Sequence, residues 1–177
     1  MGCASLLHAQ DVLPEADKSP LDVSYFPVNY PIEKVQTNKK EAPVARVIYS
    51  RPKKEGRPIF GNLVEYGKLW RLGANEATEV EFFKPVVLGG KKLAKGRYTM
   101  YAVVNEKSWT VIFNKETDIW GSFKYSPSKD ALRVEAAVEK TEDSIDLLSL
   151  YFEKTTKGAA LSIQWEQTKV SVPFTYQ

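Results

Sequence analysis

A chain of 177 residues that is 43% hydrophobic, 12% aromatic and 27% charged has the apolar content for one buried core, which excludes a disordered or fibrous protein. Its 25 basic and 22 acidic side chains interleave to a net charge of +3 with no continuous cationic stripe, which argues against nucleic-acid binding, and no apolar run approaches the ~20 residues of a membrane-spanning helix. The one cysteine (Cys3) and one histidine (His8) fall in the first ten residues, so the rest of the chain has no internal disulfide, thiolate nucleophile, imidazole base or ordinary zinc site; no metal or cofactor is expected.

Residues 1–10, MGCASLLHAQ, read as a signal remnant or a lipid-anchor region, with Cys3 the acylated residue in the second case. Either reading makes the protein exported, periplasmic or associated with the outer surface. Residues 11–43 read as a proline-rich arm or linker. Pro27 and Pro31 keep it out of an interior ladder, Tyr25, Phe26 and Tyr30 dock it on the body, and the lysine-rich residues 34–40 form a solvated connector.

From residue 44 to the end, short alternating segments recur about every ten residues: 44–49, 78–82, 86–88, 98–104, 109–113, 132–138, 147–153, 160–166 and 169–174. Gly89 and Gly90 supply the positive φ angles of a tight hairpin. Turns are expected at 141–146 and 155–158, and a loop over 114–130. With no long amphipathic helix, residues 44–177 are expected to form a single all-β domain, an antiparallel jelly-roll-like β-sandwich of eight or nine strands behind an extended N-terminal arm.

The stretch GKLWRLGANEATEVEFF (residues 67–83) carries more polarity than a turn requires, and it enters a strand, where binding groups tend to be placed. Arg71 beside Trp70 is either a structural guanidinium or the anchor for an anionic ligand. Asn75 and Glu76 either hold the turn or face a cleft. Glu79 and Glu81 share a strand face roughly 7 Å apart; a carboxylate pair is what glycoside hydrolysis uses, but a solvated sheet face accounts for it more simply. Trp120 and Tyr125, flanking Gly121, are either a plug for the open end of the core or an aromatic platform for a sugar. Trp109 and Trp165 are core. No GxGxxG, P-loop or GxSxG pattern is present.

The run YSRPKKEGRPIFGNLVEYGKLWRLGANEAT (residues 49–78), with GRYTMYAV, WTVIFNK, the Trp120-Gly121 pair and WEQTKVSVPF, resembles an uncharacterised bacterial family, domain of unknown function 2911, frequent in exported proteins of Gram-negative bacteria. The likeness covers about residues 45–174, and WRLGANEAT is its most specific part. Glu65 and Leu72 stand where the family usually has Pro and Thr. The resemblance implies an exported all-β domain and brings no catalytic residue, cofactor or ligand with it.

These readings lead to a non-catalytic cell-envelope module that binds a small molecule, glycan or peptide through Arg71, Asn75, Glu76, Trp120 and Tyr125. The alternative is a carboxylate-dependent hydrolase of envelope polysaccharide using Glu76, Glu79 and Glu81.

Overall fold

The computed structural model describes residues 13–177; the signal and lipid-anchor readings, Cys3 included, lie outside the described residues. Ten strands, one short α-helix and a single 3-10 turn at Pro127–Lys129 are found among the described residues: β1 (Leu21–Phe26), α1 (Tyr30–Thr37), β2 (Ala45–Ser50), β3 (Leu69–Trp70), β4 (Glu79–Phe82), β5 (Val86–Leu88), β6 (Lys91–Leu93), β7 (Gly96–Val104), β8 (Ser108–Asn114), β9 (Asp130–Thr155) and β10 (Gly158–Tyr176). All strand pairings are antiparallel, in the order β1-β2-β4-β7-β8-β9-β10-β5-β6, with β3 also on β7. The all-β, sandwich-like architecture expected from the alternation is present, with ten strands where eight or nine were expected.

Alternation determines which side chains turn inward. On β2, Ala45, Val47 and Tyr49 are buried while Arg46 and Ile48 are not; on β4, Val80 and Phe82 alternate with Glu79 and Glu81 in the same way. The sheet folds over so that strands far apart in its order share one core. Phe82 of β4 lies 5.5 Å from Phe174 of β10, and Trp70 of β3 stacks at 6.1 Å on Trp165 of β10. Trp109 and Phe60 complete this aromatic centre. One corner is sewn shut: Leu148 N–H donates to Pro52 O (3.1 Å) and Lys54 N–H to Asp146 O (2.8 Å), joining the chain after β2 to the second half of β9.

Three segments differ from the sequence expectation. Within residues 11–43, 21–26 pair with β2 from Leu21–Ser50 to Phe26–Ala45, making the sheet's edge strand. Tyr30–Thr37 is helical, with Pro31 in the first turn, where its missing N–H costs nothing. The expected turn at 141–146 is an outward bulge inside β9: five steps on β9, from Lys140 to Ile145, oppose two on β10, from Thr168 to Glu166, so the polar residues between are pushed out of register. The hairpin at Gly89 and Gly90 is as expected, with φ of 53° and 76°.

Candidate functional site

β3 and β4 occupy the same edge of β7, but eight residues, 71–78, separate the pair Trp70–Ala102 from Glu79–Thr99, while β7 supplies only Met100 and Tyr101 opposite them. The excess cannot stay in the ladder and loops out. Its shape is fixed by donors from Thr78 inside it and from β2, β3 and the loop after β8 around it. Five consecutive carbonyls each accept from a different donor: Arg71 O from Thr78 N–H (3.1 Å), Leu72 O from the Thr78 hydroxyl (2.7 Å), Gly73 O from Trp70 Nε1 (3.2 Å), Ala74 O from the Ser50 hydroxyl (2.5 Å) and Asn75 O from Gly121 N–H (3.0 Å). This closure holds two non-glycine residues at positive φ, Asn75 at 55° and the fully buried Leu72 at 58°. Asparagine tolerates that region, whereas leucine is strained there by roughly 1–2 kcal/mol.

The turn meets the loop after β8. Glu76 and Trp120 form an antiparallel bridge, and Ala77 N–H donates to Ile119 O (2.9 Å). The two stretches singled out in the sequence are therefore neighbours in space. Beneath the loop lies a second small core of Ala77, Tyr101 and Ile112, with Leu69, Val103, Ile119 and Tyr125 packed against it.

The five sequence-predicted residues part company here. Arg71 is half-buried, and alone among the six arginines it makes no ion pair among the described residues. Its Nε has no hydrogen-bond partner among the described residues, and burial lowers its pKa. The Asn75 amide donates to Asp17 (3.0 Å). Glu76 is exposed at the rim of a groove. Trp120 is 61% exposed, which corrects its reading as a core plug. Tyr125 takes that plugging role instead, on the second core: its ring meets Tyr101 edge-on at 5.0 Å, and its hydroxyl donates to Asp130 (2.8 Å) and accepts from Arg133 (2.7 Å). Burial, then the hydrogen bond to Asp130, push the Tyr125 phenol up to about 12.

The groove, about 240 Å³, runs along the outer face of β1, β2, β4 and β7 beside the loop. Leu21, Ile48, Ala77 and Ile119 give it apolar walls, and Glu76, Glu79, Arg97 and Asp118 supply charge. Arg97 holds Asp118 (2.5 Å) and Glu79 (3.4 Å), and Glu79 also accepts from Asp118 N–H (2.6 Å). One strand over, Arg46 pairs with Glu81 at 2.7 Å. The carboxylates considered for hydrolysis are thus outward on the sheet face, with Glu79 and Glu81 each matched to a guanidinium. Leu21, Ile48, Arg97 and Asp118 were not anticipated. In the structure the β2 and β7 pleats turn Ile48 and Arg97 outward, and strand order brings them beside Glu76 and Asp118.

A profile of the family described as Protein of unknown function (DUF2911) matches residues 31–174, covering both loops and most of the groove. No curated protein and no solved structure matches the chain.

Proposed function

The chain belongs to the DUF2911 family of proteins of unknown function, and from that premise we propose that it is a non-catalytic binding module of the cell envelope, exported to the periplasm or outer surface. Its ligand is a small molecule, glycan or peptide. The observation that carries this reading is the groove where turn 71–78 meets the loop after β8: apolar walls with fixed charges of both signs are the make-up of a small-ligand site. Of the five residues singled out in the sequence only Glu76 lines this groove; Arg71, half-buried and without an ion pair among the described residues, lies in the same turn but off the groove wall, so its part in binding is what the Arg71→Ala variant tests.

Binding is favoured over hydrolysis because Glu79 and Glu81 already answer Arg97 and Arg46. A glycosidase pair needs one carboxyl that delivers a proton to the leaving group. The test is a thermal-shift screen of glycans, peptides and small acids on the wild type, Arg71→Ala and Glu76→Ala. A ligand that raises the wild-type Tm and loses that effect in either variant, with the unliganded Tm nearly unchanged, supports the site. If both substitutions lower Tm steeply and no compound shifts it, the turn is scaffold and the proposal fails.

A further inference from the structure

We infer that the tip of the loop after β8, Trp120 to Lys124, is a docking point for an anionic phospholipid surface. This inference is independent of the groove, whose wall takes in Ile119 and leaves Trp120 and Phe123 outside. Trp120 is 61% and Phe123 86% exposed, whereas Trp70, Trp109 and Trp165 are all below 10%. Two large aromatic rings exposed to water three residues apart in one loop are unfavourable unless something covers them.

The tip is not slack. The bridge to Glu76 and the bond from Gly121 N–H to Asn75 O pin its first half, and Tyr125 N–H donates to Ser122 O (3.2 Å) in the second. The Phe123 ring lies directly on Gly121, where φ is 68° and a Cβ would come within 2.6 Å of Cε2. Asn114 Nδ2 holds Ser126 O (3.0 Å), and Lys115 N–H holds Lys129 O (2.9 Å) at the base. The rings are therefore presented in advance, with little ordering cost left to binding.

Charge selects the occupant. From Ile119 to Lys129 there is no acidic residue, while Lys124 within the tip and Lys115 and Lys129 at its base are exposed. Of the acids that flank the segment in the chain, Asp118 is paired with Arg97 and Asp130 with Arg133 and Asn114, while Glu76, whose backbone bridges Trp120, is exposed on the side of the groove. A sugar platform would need neutral polar groups placed beside the ring to read hydroxyls. Here the Ser126 and Ser128 hydroxyls bond each other, which leaves Ser122 as the one neutral hydroxyl of the tip beside the exposed ammonium of Lys124. Indole and phenyl rings at headgroup depth, with lysines among lipid phosphates, satisfy every one of these groups, and no helix among the described residues is long and apolar enough to cross a bilayer.

Trp120 is a built-in reporter because the other three tryptophans are buried. The unacylated full chain is mixed with vesicles of phosphatidylcholine alone or with phosphatidylglycerol added, some carrying brominated acyl chains, and binding is read by flotation and tryptophan emission. Phosphatidylglycerol vesicles are expected to bind the chain, shift the emission to the blue and quench it through bromine, with added salt weakening the effect. Phe123→Ala, which removes one ring's burial, is expected to weaken binding by about tenfold. Lys124→Glu with Lys129→Glu is expected to abolish the preference for anionic lipid. Both variants alter exposed side chains and should keep the wild-type Tm, which is measured alongside. Absence of quenching, equal binding by the folded variants, or an emission change with oligosaccharide but none with vesicles would each overturn the inference.

Discussion

Thr78 shows how one hydroxyl shapes the candidate site. It is fully buried, and its Oγ1–H donates to the carbonyl of Leu72, the strained residue of the turn, while its own carbonyl accepts from Met100 N–H. Thr78→Val keeps the volume but leaves a buried carbonyl unpaired, so it is expected to cost about 1–3 kcal/mol in urea unfolding, with a loosened turn. Tyr125 gives a pH signature. Burial, aided by Asp130, raises its pKa from 10.0 to about 12, so the folded protein keeps the proton after the unfolded chain has released it. Below about pH 10 both states are protonated and Tyr125 adds no slope; between about 10 and 12 only the unfolded state ionises, and stability falls as pH rises. Tyr125→Phe is expected to flatten that decline in urea melts taken across the window. Neither role was legible beforehand. Thr78 reads simply as an inward strand residue, and the environment of Tyr125 is built by Asp130, Arg133 and Tyr101, which no local pattern ties to it.

The β9–β10 hairpin carries the irregularity that joins the two faces of the molecule. Glu166 sits at its bulge with φ of 52°, and its carboxylate accepts from the N–H groups of Ile59 (3.2 Å) and Phe60 (3.4 Å) while pairing with Lys54 at 3.5 Å. One side chain thus clamps the irregular 53–64 segment, including the fully buried Ile59, to the hairpin. Glu166→Ala is expected to speed hydrogen exchange at the Ile59 and Phe60 amides selectively, leaving those of β7 and β8 unchanged; uniform acceleration would indicate global destabilisation instead. The sequence marked residues 141–146 as a break because charged and small residues cluster there. It could not tell a turn from a bulge, since the difference lies in whether β10 continues opposite. The helix α1 went unread for a related reason: it is only eight residues long and buries only Tyr30, so it leaves no apolar stripe to detect.

Across the whole molecule, the folded-over sheet is held by aromatic packing at its centre. Trp165 is 2% exposed, stacks on Trp70, meets Phe60 edge-on at 6.4 Å and donates Nε1–H to Asp146 O at 2.9 Å. Trp165→Ala removes packing from strands distant in sheet order, and a loss of about 3–5 kcal/mol is expected in chemical denaturation, with cooperative unfolding of both halves. Some of the fold could be known before any coordinates. Alternation along 78–82, 98–104 and 132–138 established that these segments are strands and which of their side chains face inward, because in a strand that choice follows from the pleat alone, and 44–49 was legible as a strand from its β-rich composition. The absence of Cys and His beyond residue 8 likewise bounded the chemistry from composition. Tertiary structure decided the order β1-β2-β4-β7, the loop-out of 71–78 against two residues of β7, and the meeting of Glu76 with Trp120. It also decided that Glu79 and Glu81 face guanidinium groups from neighbouring strands. Those outcomes depend on which segments pair and in what register, a matter of contacts between residues far apart in the chain, and a local period of two is the same for every partner a strand could take.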